Sequence, residues 1–408
     1  MSRLGRRGNS WGNARDQRRR LAFERLECRR VMDVGTSLFM GTLTITGEDT
    51  ADIISIEGAA EPGRVIIRGG VAADGTATLV DGQSGVSISG VLGSLVVRLN
   101  GGNDIVTADN LYLAGSLSIT TGDGDDTIHL AARHPVSPAL DLTVSPGPGN
   151  DLVTQQNYGV LVGRDNIMLI VGGNDSVQMV GASARGRIIA NGGDGNDTLL
   201  GVGVTAAGQM VLAGAHGANG ISLVNSSAHS LQVSTQYDGN IPGSLGNNTI
   251  YLDTVFVQTE MRVSAQANVP AAGHSPVTSI SILRSIATAV FIEGGYGENR
   301  VTIYGNQVTG PAYEVTPGVG PTITPRIEYT GLDLGPNAPV DFLEVNYNIT
   351  QRVSVATSRG DDRLSLIGNR FTISTMLDGG AGNNVWSELG NVFGTLTVRN
   401  FIAGPPPV

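Results

Sequence analysis

The sequence predicts an all-β chain, a right-handed parallel β-helix (a solenoid) of about fifteen coils of 22–25 residues behind a basic leader. Three observations carry this. A turn of the form Gly-x-Gly-Asn/Asp-Asp-x-apolar recurs, and its closing aspartates Asp104, Asp126, Asp151, Asp175 and Asp197 lie 22, 25, 24 and 22 residues apart. Short stretches on either side of each turn alternate apolar and polar residues, the mark of a strand with one buried face. Glycine makes up 58 of 408 residues, about twice the usual share of roughly 7%, as a fold with several bends per repeat requires.

The first element is a leader over residues 1–33. It holds 10 of the 26 arginines, shows no β-alternation, and contains the lone cysteine, Cys28, which has no intramolecular disulfide partner. Arg18-Arg19-Arg20-Leu21-Ala22-Phe23 leads into Glu24, Arg25, Glu27, Arg29 and Arg30, where a secretory signal would place an apolar run. No stretch of 18 apolar residues occurs anywhere, so no transmembrane helix is expected.

The β-helix is expected over residues 34–401. Asp52 with Ile53-Ile54-Ser55-Ile56, and Asp74 with Thr76-Ala77-Thr78-Leu79, stand 22 apart and read as two early coils. Around Asp126, Leu117-Ser118-Ile119-Thr120 leads into the turn and Thr127-Ile128-His129-Leu130 leads out. The same layout places Leu142, Leu169 and Ile189 with Ile119 in stacked internal rows. Further on the turn decays but keeps step, through Gly217-Ala218-Asn219-Gly220, Gly246-Asn247-Asn248, Gly297-Glu298-Asn299, Gly360-Asp361-Asp362 and Gly382-Asn383-Asn384. There Gly220, Asn248, Asn299 and Asn384 take the place of the aspartate, and an asparagine ladder holds through amide hydrogen bonds without an ion. Stretches 266–278 and 310–325, rich in proline, read as loops pushed out of a coil. A Pro-rich tail, 402–408, ends the stack because proline has no N–H for a ladder.

Charge and composition narrow the function. From residue 31 onward 16 arginines, no lysines and 33 acidic residues give a formal charge of −17, which argues against nucleic acid as a partner and for divalent cations. Aromatic content of 5% argues against a stacking cleft for sugars or bases. No His-Glu-x-x-His, Gly-x-Ser-x-Gly or phosphate-binding loop occurs, and Gly273-His274-Ser275-Pro276 is too short to mark a nucleophile. No catalytic residue is assigned.

Two resemblances bear on location and chemistry. Residues 20–32, Arg-Leu-Ala-Phe-Glu-Arg-Leu-Glu-Cys-Arg-Arg-Val-Met, resemble the N-terminal Leu-Glu-Pro-Arg-x-Leu-Leu sorting-type motif of planctomycete surface and exported proteins, with Cys28 in place of proline and Val31-Met32 in place of the leucines. That resemblance implies export to the cell surface or beyond. The turns resemble the RTX nonapeptide Gly-Gly-x-Gly-x-Asp-x-apolar-x. Gly192-Gly193-Asp194-Gly195-Asn196-Asp197-Thr198-Leu199-Leu200 fits every fixed position, and the Asp123–Asp126 turn misses only the first glycine. This second resemblance implies Ca2+ held by Asp126 and Asp197, with Asp123 and Asp194 in the same turns and Asp104, Asp151 and Asp175 as weaker ligands. RTX tracts repeat every nine residues, whereas each motif here stands alone in its coil. Stacked aspartates about 4.8 Å apart repel by around 1–3 kcal/mol per neighbouring pair. Cations, turn amides or solvent must relieve this, and aspartate satisfies turn amides without a metal.

The expected function is a non-catalytic, exported or cell-surface rod with a structural or adhesive role and surface or matrix components as partners. A Ca2+-binding RTX-like module and a polysaccharide-active β-helix enzyme are the alternatives. The oligomeric state is left open.

Overall fold

The computed structural model describes residues 32–131, 133–156, 159–237, 247–267, 277–294, 298–308, 326–330, 341–357 and 359–405. The leader through residue 31, stretch 310–325, most of 266–278 and the last three residues of the tail lie outside the described residues. A strand, Met32–Phe39, already begins within the two last residues assigned to the leader.

Everything described is strand, turn or bend, and no helix is long and apolar enough to cross a membrane. The strands gather chiefly into two long sheets, one of 16 strands and one of 21. The first is built from the segments that follow each Gly-Asp turn. In it Ile105–Asp109, Thr127–Leu130, Leu152–Gln155, Ser176–Val180 and Thr198–Val202 pair in sequence, each parallel to the next. Register partners Ile105, Thr127, Leu152, Ser176 and Thr198 therefore advance by the same steps as the aspartates that precede them. The second sheet takes the segments before the turns: Leu95–Arg98, Leu117–Thr120, Leu142–Ser145, Asn166–Leu169 and Ile188–Asn191, again parallel and in order. Long stacks of parallel strands, each repeat donating one strand to the first sheet and one or two to the second, are compatible with a β-helix or related solenoid.

Alternation explains the core. In Thr127-Ile128-His129-Leu130 the burial alternates with the pattern, Ile128 and Leu130 being fully enclosed. Stacking extends this into rows: Val106, Ile128, Val153, Val177, Leu199 and Ile221 are successive register partners, none more than 1% exposed. Each such side chain contributes about 1.5–3 kcal/mol by leaving water. Ile119 and Leu142 sit in the rows of the second sheet as expected, but Leu169 is 41% exposed and Ile189 only half-buried. There the inward positions belong to Met168 and Ile188, one residue earlier. A one-residue shift reverses every side chain of a strand, and the unbroken apolar run from Ile167 to Ile170 carries no phase to prevent it.

The core also contains a polar tie between the sheets. Gln155 and Asn166, both fully buried, exchange amide hydrogen bonds: Gln155 Nε2 to Asn166 Oδ1 at 3.1 Å and Asn166 Nδ2 to Gln155 Oε1 at 2.9 Å. Reciprocal bonding of this kind satisfies groups that would otherwise cost about 1–3 kcal/mol each when buried.

The two ends of the stack differ. Asp52 is followed by Ile53–Gly58, which pairs parallel with Ile105–Asp109 on one side. On its other side it meets Arg64–Gly69 antiparallel, and that strand meets Gly85–Ser89, also antiparallel. Asp74 is therefore not a coil turn. It lies in the bend before Thr76, whose N–H it caps at 2.9 Å, and its spacing from Asp52 is coincidental. Met32–Phe39 likewise runs antiparallel to Thr42–Thr46, the first strand of the second stack. At the other end Val392–Arg399 and Phe401–Ala403 are the last strands of the two sheets among the described residues.

Candidate functional site

The recurrent turn is the feature that sequence singles out, and its five aspartates do form one column. They face inward. Asp104, Asp126, Asp151, Asp175 and Asp197 are each at most 3% exposed. Each accepts, at Oδ1, the backbone N–H of the equivalent residue one repeat earlier. Asp104 N–H donates to Asp126 at 2.8 Å, Asp126 to Asp151 at 2.8 Å, Asp151 to Asp175 at 2.7 Å and Asp175 to Asp197 at 3.0 Å. Upstream, Asp52 N–H donates to Asp104 at 2.7 Å.

The ladder continues with amides. Asp197 N–H donates to Asn219 Oδ1, and Asn219 N–H to Asn248 Oδ1, both at 2.8 Å. The ladder residue of that repeat is thus Asn219, not Gly220, which opens the next strand. Farther on Asn299 N–H donates to Asp341 at 3.1 Å, Asp341 to Asp362 at 3.0 Å and Asp362 to Asn384 at 2.8 Å. Aspartate and asparagine interchange because only the Oδ1 acceptor is shared by the whole column.

Beside it runs a second ladder of opposite sense, one residue earlier in each turn and exposed to solvent. Asp125 N–H donates back to Asn103 Oδ1 at 3.1 Å, Asn150 to Asp125 at 2.8 Å, Asn174 to Asn150 at 2.9 Å and Asn196 to Asn174 at 2.9 Å. The Asn/Asp-Asp pair of the motif is thereby explained. Its first member binds the following repeat outside, and its second binds the preceding repeat inside.

The glycine before this pair has an equally local cause. Gly124, Gly149, Gly173 and Gly195 have φ of +139° to +144° or, at Gly173, +132°, and they stack directly. A Cβ on Gly173 would lie 1.6 Å from the carbonyl oxygen of Gly149, and one on Gly195 1.4 Å from that of Gly173. No side chain fits this column.

Burial shapes the electrostatics. Enclosure pushes the Asp104 carboxyl up to about 8, Asp151 and Asp197 to about 7 and Asp175 to about 6; it raises Asp126 and Asp362 as well. Neighbouring ladder carboxyls add to the shift at Asp104, Asp151 and Asp197. The second carboxyl oxygens of Asp104, Asp151, Asp175 and Asp197 are buried without a hydrogen-bond partner, a setting that favours the neutral acid. Asp341 differs because Tyr329 Oη donates to its Oδ2 at 2.8 Å across the core, yet burial still lifts it to about 7. Outside, Asp125 is held below the ordinary range by the N–H of Asn150.

The remaining residues assigned by resemblance are not brought to the column. Asp123 and Asp194 are exposed, whereas the column carboxyls are buried. Among the described residues no three or more His, Cys, Asp or Glu side chains are grouped so as to hold a metal ion. Asp361, Asp362 and Arg363, which have the residue types that polysaccharide cleavage would use, also diverge. Asp361 caps Asn383 N–H outside, Asp362 points inward, and Arg363 lies on the outer sheet face over Phe342. His129 is half-buried and its Nδ1 shares a hydrogen bond with Thr154 Oγ1 at 2.7 Å; burial lowers its pKa.

A further inward ladder escaped the sequence reading. At the opposite end of the first sheet, Asn306 N–H donates to Asn348, Asn348 to Asn369 and Asn369 to Asn391, at 2.9–3.0 Å. In each repeat a left-handed residue precedes it, Gly305, Tyr347, Gly368 and Gly390. The signal was present as Gly-Asn or Tyr-Asn pairs spaced 42, 21 and 22 residues apart. On the flank, Asp141 and Asp165 bind Arg164 and Arg187 of the following repeats, and Asp165 also caps Arg187 N–H at 2.7 Å.

Comparison with protein-family models, with curated proteins and with solved structures returns no match.

Proposed function

We propose that this chain is a non-catalytic, exported or cell-surface rod, a right-handed parallel β-helix of about fifteen coils with a structural or adhesive role. One observation carries the reading: the recurrent polar residues of the turn are consumed in binding one repeat to the next. Asp104, Asp126, Asp151, Asp175 and Asp197 point inward onto backbone amides, and Asn103, Asp125, Asn150 and Asn174 tie the same turns outside. A motif repeated for stacking produces a long, regular body, and such a body suits spacing or display more than turnover.

The calcium reading has less support, because the inward carboxyls already serve amides while Asp123 and Asp194 are exposed. The enzyme reading has less still, since the consecutive Asp361, Asp362 and Arg363 diverge onto different faces. Small-angle scattering and localisation test the proposal together. The chain should scatter as a rod of roughly 70 Å, fifteen repeats at about 4.8 Å each, and should be found in the surface or extracellular fraction. A compact sphere or a cytoplasmic protein would refute it.

A further inference from the structure

We propose that a trough on the narrow side of the stack, between the two sheets, binds an acidic oligosaccharide whose carboxylate is taken by Arg185. The proposal deepens the adhesive reading above, on which it rests for its setting, by naming the class of partner. On this side Leu111–Leu113, Val136–Pro138, Leu161–Val162 and Ser183–Ala184 lie one above another. Tyr112 pairs with Ser137, Val136 bridges Val160, and Leu161 pairs with Ser183. Tyr112, Ser137, Leu161 and Ser183 therefore form one outward column, roughly 14 Å long at about 4.8 Å per repeat. Two cavities open along it. One of about 490 Å³ is lined in part by Ser137, Leu161, Ser183 and Arg185, and one of about 340 Å³ in part by Tyr112, Glu61 and Arg64.

Polar groups of the turns are consumed in stacking, whereas those of the trough are free. Arg164 and Arg187 are tied to Asp141 and Asp165, but Arg185 makes no ion pair among the described residues. The hydroxyls of Tyr112, Ser137 and Ser183 likewise make no side-chain hydrogen bond among the described residues. Arg185 and Arg187 flank Gly186, whose N–H donates to the Arg164 carbonyl at 2.6 Å, so three arginines stand together beside the larger cavity. Between residues 133 and 187 the outward charges are Arg133, Arg164, Arg185 and Arg187 against Asp141 and Asp165, since Asp151 and Asp175 face inward. This local positive surplus lies on a body of formal −17 from residue 31 onward. A like surplus between Arg352 and Arg370 is divided, with Arg363 on the first sheet and Arg352 and Arg370 on the second, and borders neither cavity.

The free groups select the ligand. A guanidinium forks onto a planar carboxylate through two parallel N–H bonds. Serine hydroxyls on either side of Leu161 match the hydroxyls and C–H faces of a sugar chain. Tyr112, 66% exposed, offers a ring face at the far end. A single ring is an end stop and no lined cleft, so charge and hydroxyls carry most of the recognition. Glu61, at that end, is held by Arg64 at 2.9 Å, which puts the ligand's carboxylate at the Arg185 end. Nucleic acid carries a charge about every 1.7 Å; it would meet one free guanidinium here and repulsion from the rest of the body.

The test is calorimetric titration of the full chain with trisaccharides of galacturonate, glucuronate and mannuronate, beside a neutral galactose trisaccharide and a tetranucleotide. At least one uronate should bind about tenfold or more tighter than the neutral sugar, and added salt should weaken it. Arg185→Gln should abolish that preference without moving the thermal midpoint, and Tyr112→Ala should weaken acidic and neutral sugars alike. No binding of any uronate at millimolar concentration overturns the inference. So does equal binding of the neutral sugar, tighter binding of the tetranucleotide, or uronate binding indifferent to Arg185→Gln. A compact or cytoplasmic chain that still binds uronate refutes the adhesive rod and keeps this site, and a surface rod that binds none does the reverse.

Discussion

The backbone N–H of Asp126 donates to Oδ1 of Asp151 at 2.8 Å, joining residues 25 apart in sequence and adjacent in the stack. One residue earlier the direction reverses, with Asn150 N–H donating to Asp125 Oδ1. Each turn is thus stitched to its neighbours from inside and outside, and both stitches need Asp or Asn at fixed positions.

Asp151→Ala removes the acceptor and leaves a buried N–H at Asp126 without a partner. It should cost about 1–3 kcal/mol. Asp151→Asn keeps the acceptor and removes the penalty for a buried charge, so it should leave stability unchanged in acid and raise it above neutrality. Denaturant unfolding of both variants at pH 4 and pH 8.5 checks the contrast.

The whole ladder implies an acid-stable protein. Burial pushes the carboxyls of Asp104, Asp151, Asp175, Asp197 and Asp341 up to about 6 to 8, against 3.8 for the ordinary group, and raises Asp126 and Asp362 as well. A carboxyl whose folded pKa is raised gives full stability below about pH 4, and that stability is lost as pH rises through the folded values. The unfolding midpoint should therefore fall steadily from pH 4 to pH 9. Rising stability over that interval would mean that the ladder is ionised in the folded state.

Glycine positions within one turn should differ sharply. Gly173→Ala would drive a Cβ to 1.6 Å from the Gly149 carbonyl and should cost several kcal/mol or abolish folding. Gly172→Ala, with φ of +70° and open space around it, should cost only about 1 kcal/mol. Thermal unfolding of the pair separates crowding in the column from backbone preference alone.

In the core, Ile128→Ala should cost about 2–5 kcal/mol, because its row closes on both sides and leaves a cavity. Leu169→Ala, on the outer face, should change stability by less than about 0.5 kcal/mol.

How far the sequence discloses this architecture depends on where it alternates. Leu117-Ser118-Ile119-Thr120 fixes which residues face inward, since polar side chains hold the alternate places. Ile167 to Ile170 does not, and the expected inward residue was displaced from Met168 to Leu169. Period alone also misled at Asp74, which falls in step with Asp52 yet belongs to an antiparallel bend. The aspartates were legible as a column, but not the direction in which they point. That depends on the glycine backbone, whose stacked positive-φ residues turn the Asp126 side chain inward and leave Asp125 outside. The Asn306 to Asn391 ladder lacks the Gly-x-Gly signature and offered only weak pairs to notice.

The most direct test of the central claim, that the inward aspartates bind backbone amides and not calcium, is thermal unfolding of the wild type and of the Asp126→Asn, Asp197→Asn double variant with excess calcium and with chelator. The account predicts the same midpoint for the wild type in both conditions, and no calcium dependence in the double variant. A calcium-dependent rise that grows with concentration and disappears in the double variant would contradict it.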